Sequence, residues 1–111
     1  IWGTGSPMRE FLYVDDLAEA SLHLMLNYNE KQFVNVGSGT DITIKDLAHL
    51  VKKIVGFEGE LTFDTSKPDG TPKKLMDVSK LKKAGWSYTI QLNEGIKMAF
   101  EDALAKGLLS E

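Results

Sequence analysis

The sequence predicts a mixed α/β fold, for three reasons. Apolar residues recur at helical spacing in three long stretches, short β-prone runs sit between them, and glycines or prolines punctuate the joins. Phe11 to Val14 are apolar and β-prone and run straight into Asp15 and Asp16, two acids suited to the cap and first turn of a helix. Val14, Leu17, Ala18, Ser21, Leu24, Met25 and Tyr28 then follow helical spacing. Leu22 and Leu26 widen this stripe almost all round, so the helix is expected to need cover on more than one side. Gln32 to Val36 read as a short strand ending at Gly37-Ser38-Gly39, after which Thr43 and Asp46 resemble a capping box.

The helix behind that cap is the clearest in the chain. Ile44, Leu47, Ala48, Val51, Ile54 and Val55 fall on one face, and Gly56 stands where a left-handed terminus is needed. Glu60 to Phe63 read as a strand, and Asp64 to Lys73, with two prolines and a glycine, as a loop. A short helix over Val78 to Ala84 stops at Gly85, and a last one carries Leu92, Ile96, Ala99, Phe100, Ala103 and Leu104 on one face.

Composition narrows the function. Of 111 residues, 42% are hydrophobic and 26% charged, the balance of an ordinary globular domain with one core. A net charge of −3 argues against nucleic-acid binding, which needs a basic surface, and no apolar run is long enough to span a membrane. Without cysteine there is no disulfide, thiolate metal site or cysteine nucleophile, and a reducing, intracellular setting is favoured. Ile1-Trp2-Gly3 begins without methionine and reads like the middle of a longer chain, so a fragment is expected.

Gly37-Ser38-Gly39 lies between a strand and a helix, as dinucleotide-binding glycines do, but the third glycine of that pattern would fall at Ile42 and the helix cap comes only at Thr43. The turn is too long to press a helix end onto a pyrophosphate. Trp2 to Phe11 combine a glycine-rich loop with an aromatic residue and Arg9, whose planar fork of donors matches phosphate oxygens; the plainer alternative is an ion pair to Glu10 or Asp15. Trp2 could flank a sugar or base, or could lie buried in the core. In Ser66 to Lys74 two prolines stiffen a loop that presents Asp69 and Lys74, either to a ligand or simply to solvent. His23 and His49 have no partner at ligand spacing, so no metal is expected.

Trp2-Gly3-Thr4-Gly5-Ser6-Pro7-Met8-Arg9-Glu10-Phe11, followed by Val14-Asp15-Asp16-Leu17-Ala18, closely resembles the signature of the GDP-L-fucose synthase family, as does Ser66-Lys67-Pro68-Asp69-Gly70-Thr71-Pro72-Lys73-Lys74-Leu75. That family is a branch of the NAD(P)-dependent epimerase/dehydratases among the extended short-chain dehydrogenase/reductases. The resemblance implies a C-terminal, substrate-binding portion of a Rossmann-type enzyme. Residues 14–56 would complete its parallel sheet, and residues 1–13 and 57–111 would build the small α/β substrate domain. It implies an enzyme that epimerises GDP-4-keto-6-deoxy-D-mannose at C3 and C5 and reduces C4 with NADPH.

By the same resemblance, Trp2 would lie beside the nucleotide sugar, Arg9 and Lys74 would face the diphosphate, and Asp69 the nucleoside part. The family's Tyr-x-x-x-Lys pair is absent, since Tyr13 is followed by Leu17 and Tyr28 by Gln32. No catalytic or cofactor-binding residue is therefore expected in this chain, and NADP(H) would be held by an N-terminal half. A homo-oligomer in the cytoplasm is expected. The alternatives are a stand-alone nucleotide-sugar or anion-binding module, a relative acting on another nucleotide sugar, or an interaction domain using the Val14 to Tyr28 helix.

Overall fold

A computed structural model describes residues 1–109. The elements run β1 (Met8–Glu10), α1 (Val14–Asn27), β2 (Asp41–Thr43), α2 (Ile44–Val55), β3 (Lys73–Lys74), α3 (Ser79–Lys83) and α4 (Leu92–Ala105). The fold class is the α/β one read from the sequence, with a small mixed sheet in the order β2-β1-β3. Strand β1 runs antiparallel to β2, with Arg9 opposite Ile42 and Glu10 opposite Asp41, and parallel to β3, with Arg9 opposite Lys74. Helix α2 packs on α4.

Local chemistry explains the helix ends. At α2 the Thr43 hydroxyl accepts from the Asp46 N–H (3.0 Å), and Gly56 closes the helix at φ 71°, a conformation that side chains disfavour. The Asp46 carboxylate accepts in return from the Thr43 hydroxyl (2.7 Å). Gly85, at φ 90°, follows α3 in the same way.

The apolar centre is small. Ala20, Val78, Leu81 and Trp86 are buried, with Leu12, Leu24, Val34, Val36 and Tyr88 packed around them. The body is flat, 49 × 35 × 18 Å, with a radius of gyration of 16.6 Å. A compact chain of this length has about 13 Å. Polar fastening therefore matters, and Asp16 supplies most of it. Buried in the first turn of α1, Asp16 accepts from the backbone N–H groups of Thr89 (3.1 Å) and Ile90 (2.8 Å) and from the Thr89 hydroxyl (2.9 Å). This carboxylate ties α1 to the segment that enters α4.

Two expected strands do not form. Gln32 to Val36 has no ladder partner among the described residues; Val34 and Val36 instead turn toward the small core. A strand needs a neighbour to take its backbone groups, and β-propensity alone does not supply one. Glu60 to Phe63 forms no ladder either; Thr62 O accepts from the Ile1 amino group (2.8 Å), and a single parallel bridge joins Trp2 to Asp64 just after it. Conversely, β1 and β3 arise where the sequence reads as loop, because their partners are distant in the chain.

Helix α1 is apolar nearly all round, as expected, and the cover is one-sided. Asp16 and Ala20 face the body, while Val14, Leu22, Met25 and Leu26 are more than half exposed. Replacing Asp16 by Ala leaves two part-buried N–H groups and a hydroxyl without their acceptor. It is expected to cost about 3 kcal/mol, read as a lowered urea midpoint at unchanged slope.

Candidate functional site

The site grows from the ladder at Arg9. Because β1 lies between β2 and β3, the parallel register sets Arg9 directly beside Lys74. Residues that are ladder partners project to the same side of a sheet, so two cations 65 positions apart in the sequence share one surface. The Arg9 guanidinium is held by carbonyls rather than by an acid: Nη1 donates to Met8 O (2.6 Å) and Thr71 O (2.7 Å). The ion pair with Glu10 or Asp15, the plainer reading of the sequence, is not made. Among the described residues Lys74 has no acidic partner, whereas its neighbour Lys73 reaches Asp41 at 3.5 Å. Among the described residues neither Arg9 nor Lys74 is matched by an acid.

Asp69 closes the site from the loop. Its Oδ1 accepts from the Thr4 N–H (2.7 Å) and its Oδ2 from the Thr4 hydroxyl (2.7 Å). The Thr4 hydroxyl, and after it the Thr4 N–H, holds the Asp69 carboxyl below the ordinary aspartate pKa. Gly3, at φ 81°, must be glycine, since a Cβ there would overlap Asp69 Oδ1. Gly70 follows immediately, and a Cβ on it would stand 3.3 Å from Arg9 Nη2. The loop of residues 64–72 is thereby locked both to residues 3–4 and alongside Arg9. Trp2 stands at the edge of this lock with 76% of its side chain exposed, so it is not a core residue.

Neighbouring contacts link the four sequence-predicted residues: Trp2 is bridged to Asp64 at the start of the loop, Asp69 holds Thr4, Gly70 stands next to Arg9, and Arg9 pairs with Lys74. Asp69 differs from the others in that Thr4 engages both its oxygens. Sequence reasoning missed Ser38, Tyr88 and Gln91, which line a cavity of about 70 Å³ next to Arg9. No spacing signal could have grouped them, because the turn after Gly37 and the segment before α4 meet only in the folded chain.

The Gly37-Ser38-Gly39 turn does not fit a dinucleotide. The Gly39 N–H donates to Glu10 Oε2 (2.7 Å), and a Cβ on Gly37 would overlap Glu10 Oε1. A carboxylate fills the cradle that a pyrophosphate would need. Glu10 faces Asp41 across the ladder, and Glu10 Oε1 and Asp41 Oδ2 are buried without hydrogen bonds. Lys73, 3.5 Å from Asp41 Oδ2, offsets this like-charge pairing. His23 Nε2 contacts Ala84 O (2.6 Å) and His49 Nδ1 contacts Lys45 O (2.8 Å). No cluster of metal-ligating side chains occurs among the described residues. None of their helices is long and apolar enough to cross a membrane.

Residues 1–37, which contain Trp2, Arg9 and Asp16, match the profile of the NAD dependent epimerase/dehydratase family. "Probable GDP-L-fucose synthase 1" of Oryza sativa subsp. japonica is 59% identical over 96 residues, covering 86% of this chain and 29% of that protein. Solved structures of nucleotide-sugar enzymes are similar over nearly the whole of this chain. A GDP-L-fucose synthetase from Naegleria fowleri bound to NADP superposes with a TM-score of 0.91 at 29% identity, over 99% of this chain and 35% of that one. MlghC, a GDP-mannoheptose C4 reductase from Campylobacter jejuni with NADP bound, gives 0.80 at 46% identity, over 91% and 33%. The chain spans about a third of the length of each.

The Asp69 lock has a pH signature. A carboxyl whose folded pKa lies below its unfolded value stabilises the fold fully above the unfolded value, near 3.9, and loses that contribution as pH falls through the folded one. Below about pH 4 the melting temperature of the unmodified chain should therefore fall more steeply than that of Asp69→Asn. Parallel slopes in a melting series from pH 7 to pH 3 would remove Asp69 as the acid-sensitive lock.

Proposed function

We propose that this chain is the GDP-sugar-binding part of a GDP-L-fucose synthase. The whole enzyme would convert GDP-4-keto-6-deoxy-D-mannose to GDP-L-fucose by 3,5-epimerisation and NADPH-dependent 4-reduction. The observation that carries this reading is the pairing of Arg9 with Lys74, two cations without acidic partners among the described residues, beside a loop locked by Asp69. Arg9, with its guanidinium already fixed by two carbonyls, offers its remaining N–H donors to the diphosphate, and Lys74 adds a point charge. Asp69 shapes the nucleoside side by holding Thr4, and Trp2 flanks the sugar or base. The identity to proteins named GDP-L-fucose synthase supports the substrate.

NADP(H) and the groups that move protons and hydride belong, on this reading, to polypeptide outside these 111 residues. The filled glycine turn supports that division, since it leaves no dinucleotide cradle here. Polypeptide beyond this chain would also pair with residues 32–36 and cover α1. Residues 14–56 would then complete a Rossmann sheet, and residues 1–13 and 57–111 would form the substrate portion. The family's biosynthetic chemistry supports a cytoplasmic enzyme. A second reading, reduction of another GDP-sugar at C4, is favoured by the 46% identity to a GDP-mannoheptose C4 reductase.

In the complete enzyme, Arg9→Ala should weaken GDP binding by about 2 to 5 kcal/mol, the range for losing one partner of a desolvated charge pair. Lys74→Ala should weaken it less, and Lys53→Ala, on the far helix α2, not at all. Calorimetry with GDP decides this, and unchanged affinity in Arg9→Ala removes the site. Assay of GDP-4-keto-6-deoxy-D-mannose against GDP-heptose substrates separates the two readings.

The 111-residue chain alone should self-associate through α1 and residues 32–36, because Leu22, Met25, Leu26 and Phe33 are 53%, 73%, 71% and 81% exposed. Sedimentation at micromolar concentration should show dimers or larger species. A single monomeric boundary with a sharp melt would count against both the self-association and the covering role given to outside polypeptide.

A further inference from the structure

We infer that Lys67 is a third anion-binding residue of this surface, acting together with Trp2. The indole offers a face for a ring of the bound nucleotide, and the Lys67 ammonium, already placed over that indole, pairs with a phosphate of the same ligand. This rests on the GDP-sugar reading above and adds to it a residue outside the Arg9 and Lys74 pair.

The geometry builds this element from the backbone outward. Trp2 is clamped on both sides by Asp64, whose N–H donates to Ile1 O (2.7 Å) and whose carbonyl accepts from the Gly3 N–H (2.9 Å). The backbone at Trp2 is thus fixed while the residue stays 76% exposed, whereas the chain's other tryptophan, Trp86, is 5% exposed. From Asp64 the chain turns tightly: the Ser66 N–H donates to Asp64 Oδ1 (3.1 Å) and the Lys67 N–H to Asp64 O (3.2 Å). This turn carries the Lys67 Nζ to 5.5 Å from the Trp2 ring centroid. The residue that anchors Trp2 thus also aims Lys67 at it.

A cation over an exposed ring is weakly held, by an amount equivalent to about two- to fivefold in an equilibrium constant. Among the described residues Lys67 has no carboxylate partner to compete for it. A ring settling on the indole displaces an ammonium that is only loosely bound there. A phosphate attached to that ring is the stronger partner that receives it. A neutral nucleoside would have to displace the ammonium without supplying a partner, so the element selects nucleotides over nucleosides.

Two measurements on the intact protein test this. Iodide, an anion, should quench the exposed indole more effectively than neutral acrylamide, and Lys67→Met should lower the iodide constant while leaving the acrylamide constant unchanged. Equal behaviour of the two quenchers in both proteins would show that the ammonium is not at Trp2, and would overturn the inference without touching the Arg9 site. In titrations with GDP and with guanosine, Lys67→Met should weaken GDP about two- to fivefold, leave guanosine unchanged or slightly tighter, and be rescued by Lys67→Arg. An unchanged GDP affinity in Lys67→Met, with normal binding by the unmodified protein, would overturn the inference alone. Absence of GDP binding by the unmodified protein would overturn the proposed function with it.

Discussion

The ladder around β1 is the constraint on which the rest depends. The strand is three residues long, yet both of its edges are occupied, one by β2 and the other by β3. Its start is fastened at two prolines: the Ile44 N–H donates to Pro7 O (2.9 Å) and the Met8 N–H to Pro72 O (2.8 Å). Its end is fastened through Glu10, which takes the Gly39 N–H. Between these anchors only Arg9 remains, so its position follows from bonds made by its neighbours. A strand so short has little pairing energy of its own, and its loops must hold it in register.

Carboxylates do much of that holding. Asp16 joins α1 to the approach of α4, Glu10 joins β1 to the glycine turn, and Asp69 joins the 64–72 loop to Thr4. Each accepts at least one backbone N–H, and a charged acceptor makes a stronger bond than a neutral one. With only Ala20, Val78, Leu81 and Trp86 buried among the apolar residues, such bonds fix geometry that packing leaves loose. The Asp69 contact makes the 64–72 loop acid-sensitive, because protonation weakens the acceptor.

The glycines show how one residue type serves opposite ends. Gly37 admits a carboxylate from within the chain, while Gly3 admits one from a loop more than sixty residues away. Read as sequence, Gly37 lies in a turn with a partial dinucleotide pattern and Gly3 in a glycine-rich loop. In the fold, both make room for an internal acid.

The helices were legible because their information is local. Periodic apolar faces, the Thr43 cap and the glycines at 56 and 85 act within a few residues, and α1, α2, α3 and α4 lie where those signals put them. Motif resemblance likewise picked out Trp2, Arg9, Asp69 and Lys74 as one group. The strands were not legible, since Gln32 to Val36 has β-prone residues and no partner, while Met8 to Glu10 has two partners and no β pattern. Strand identity is a property of a pair, and the pair forms only when distant segments meet. For the same reason the tertiary structure alone decided that Asp69 spends its carboxylate on Thr4 and that Lys74 rather than Lys73 is left without an acidic partner among the described residues. Those outcomes depend on which side chains arrive within a few ångströms of one another, which spacing along the chain does not encode.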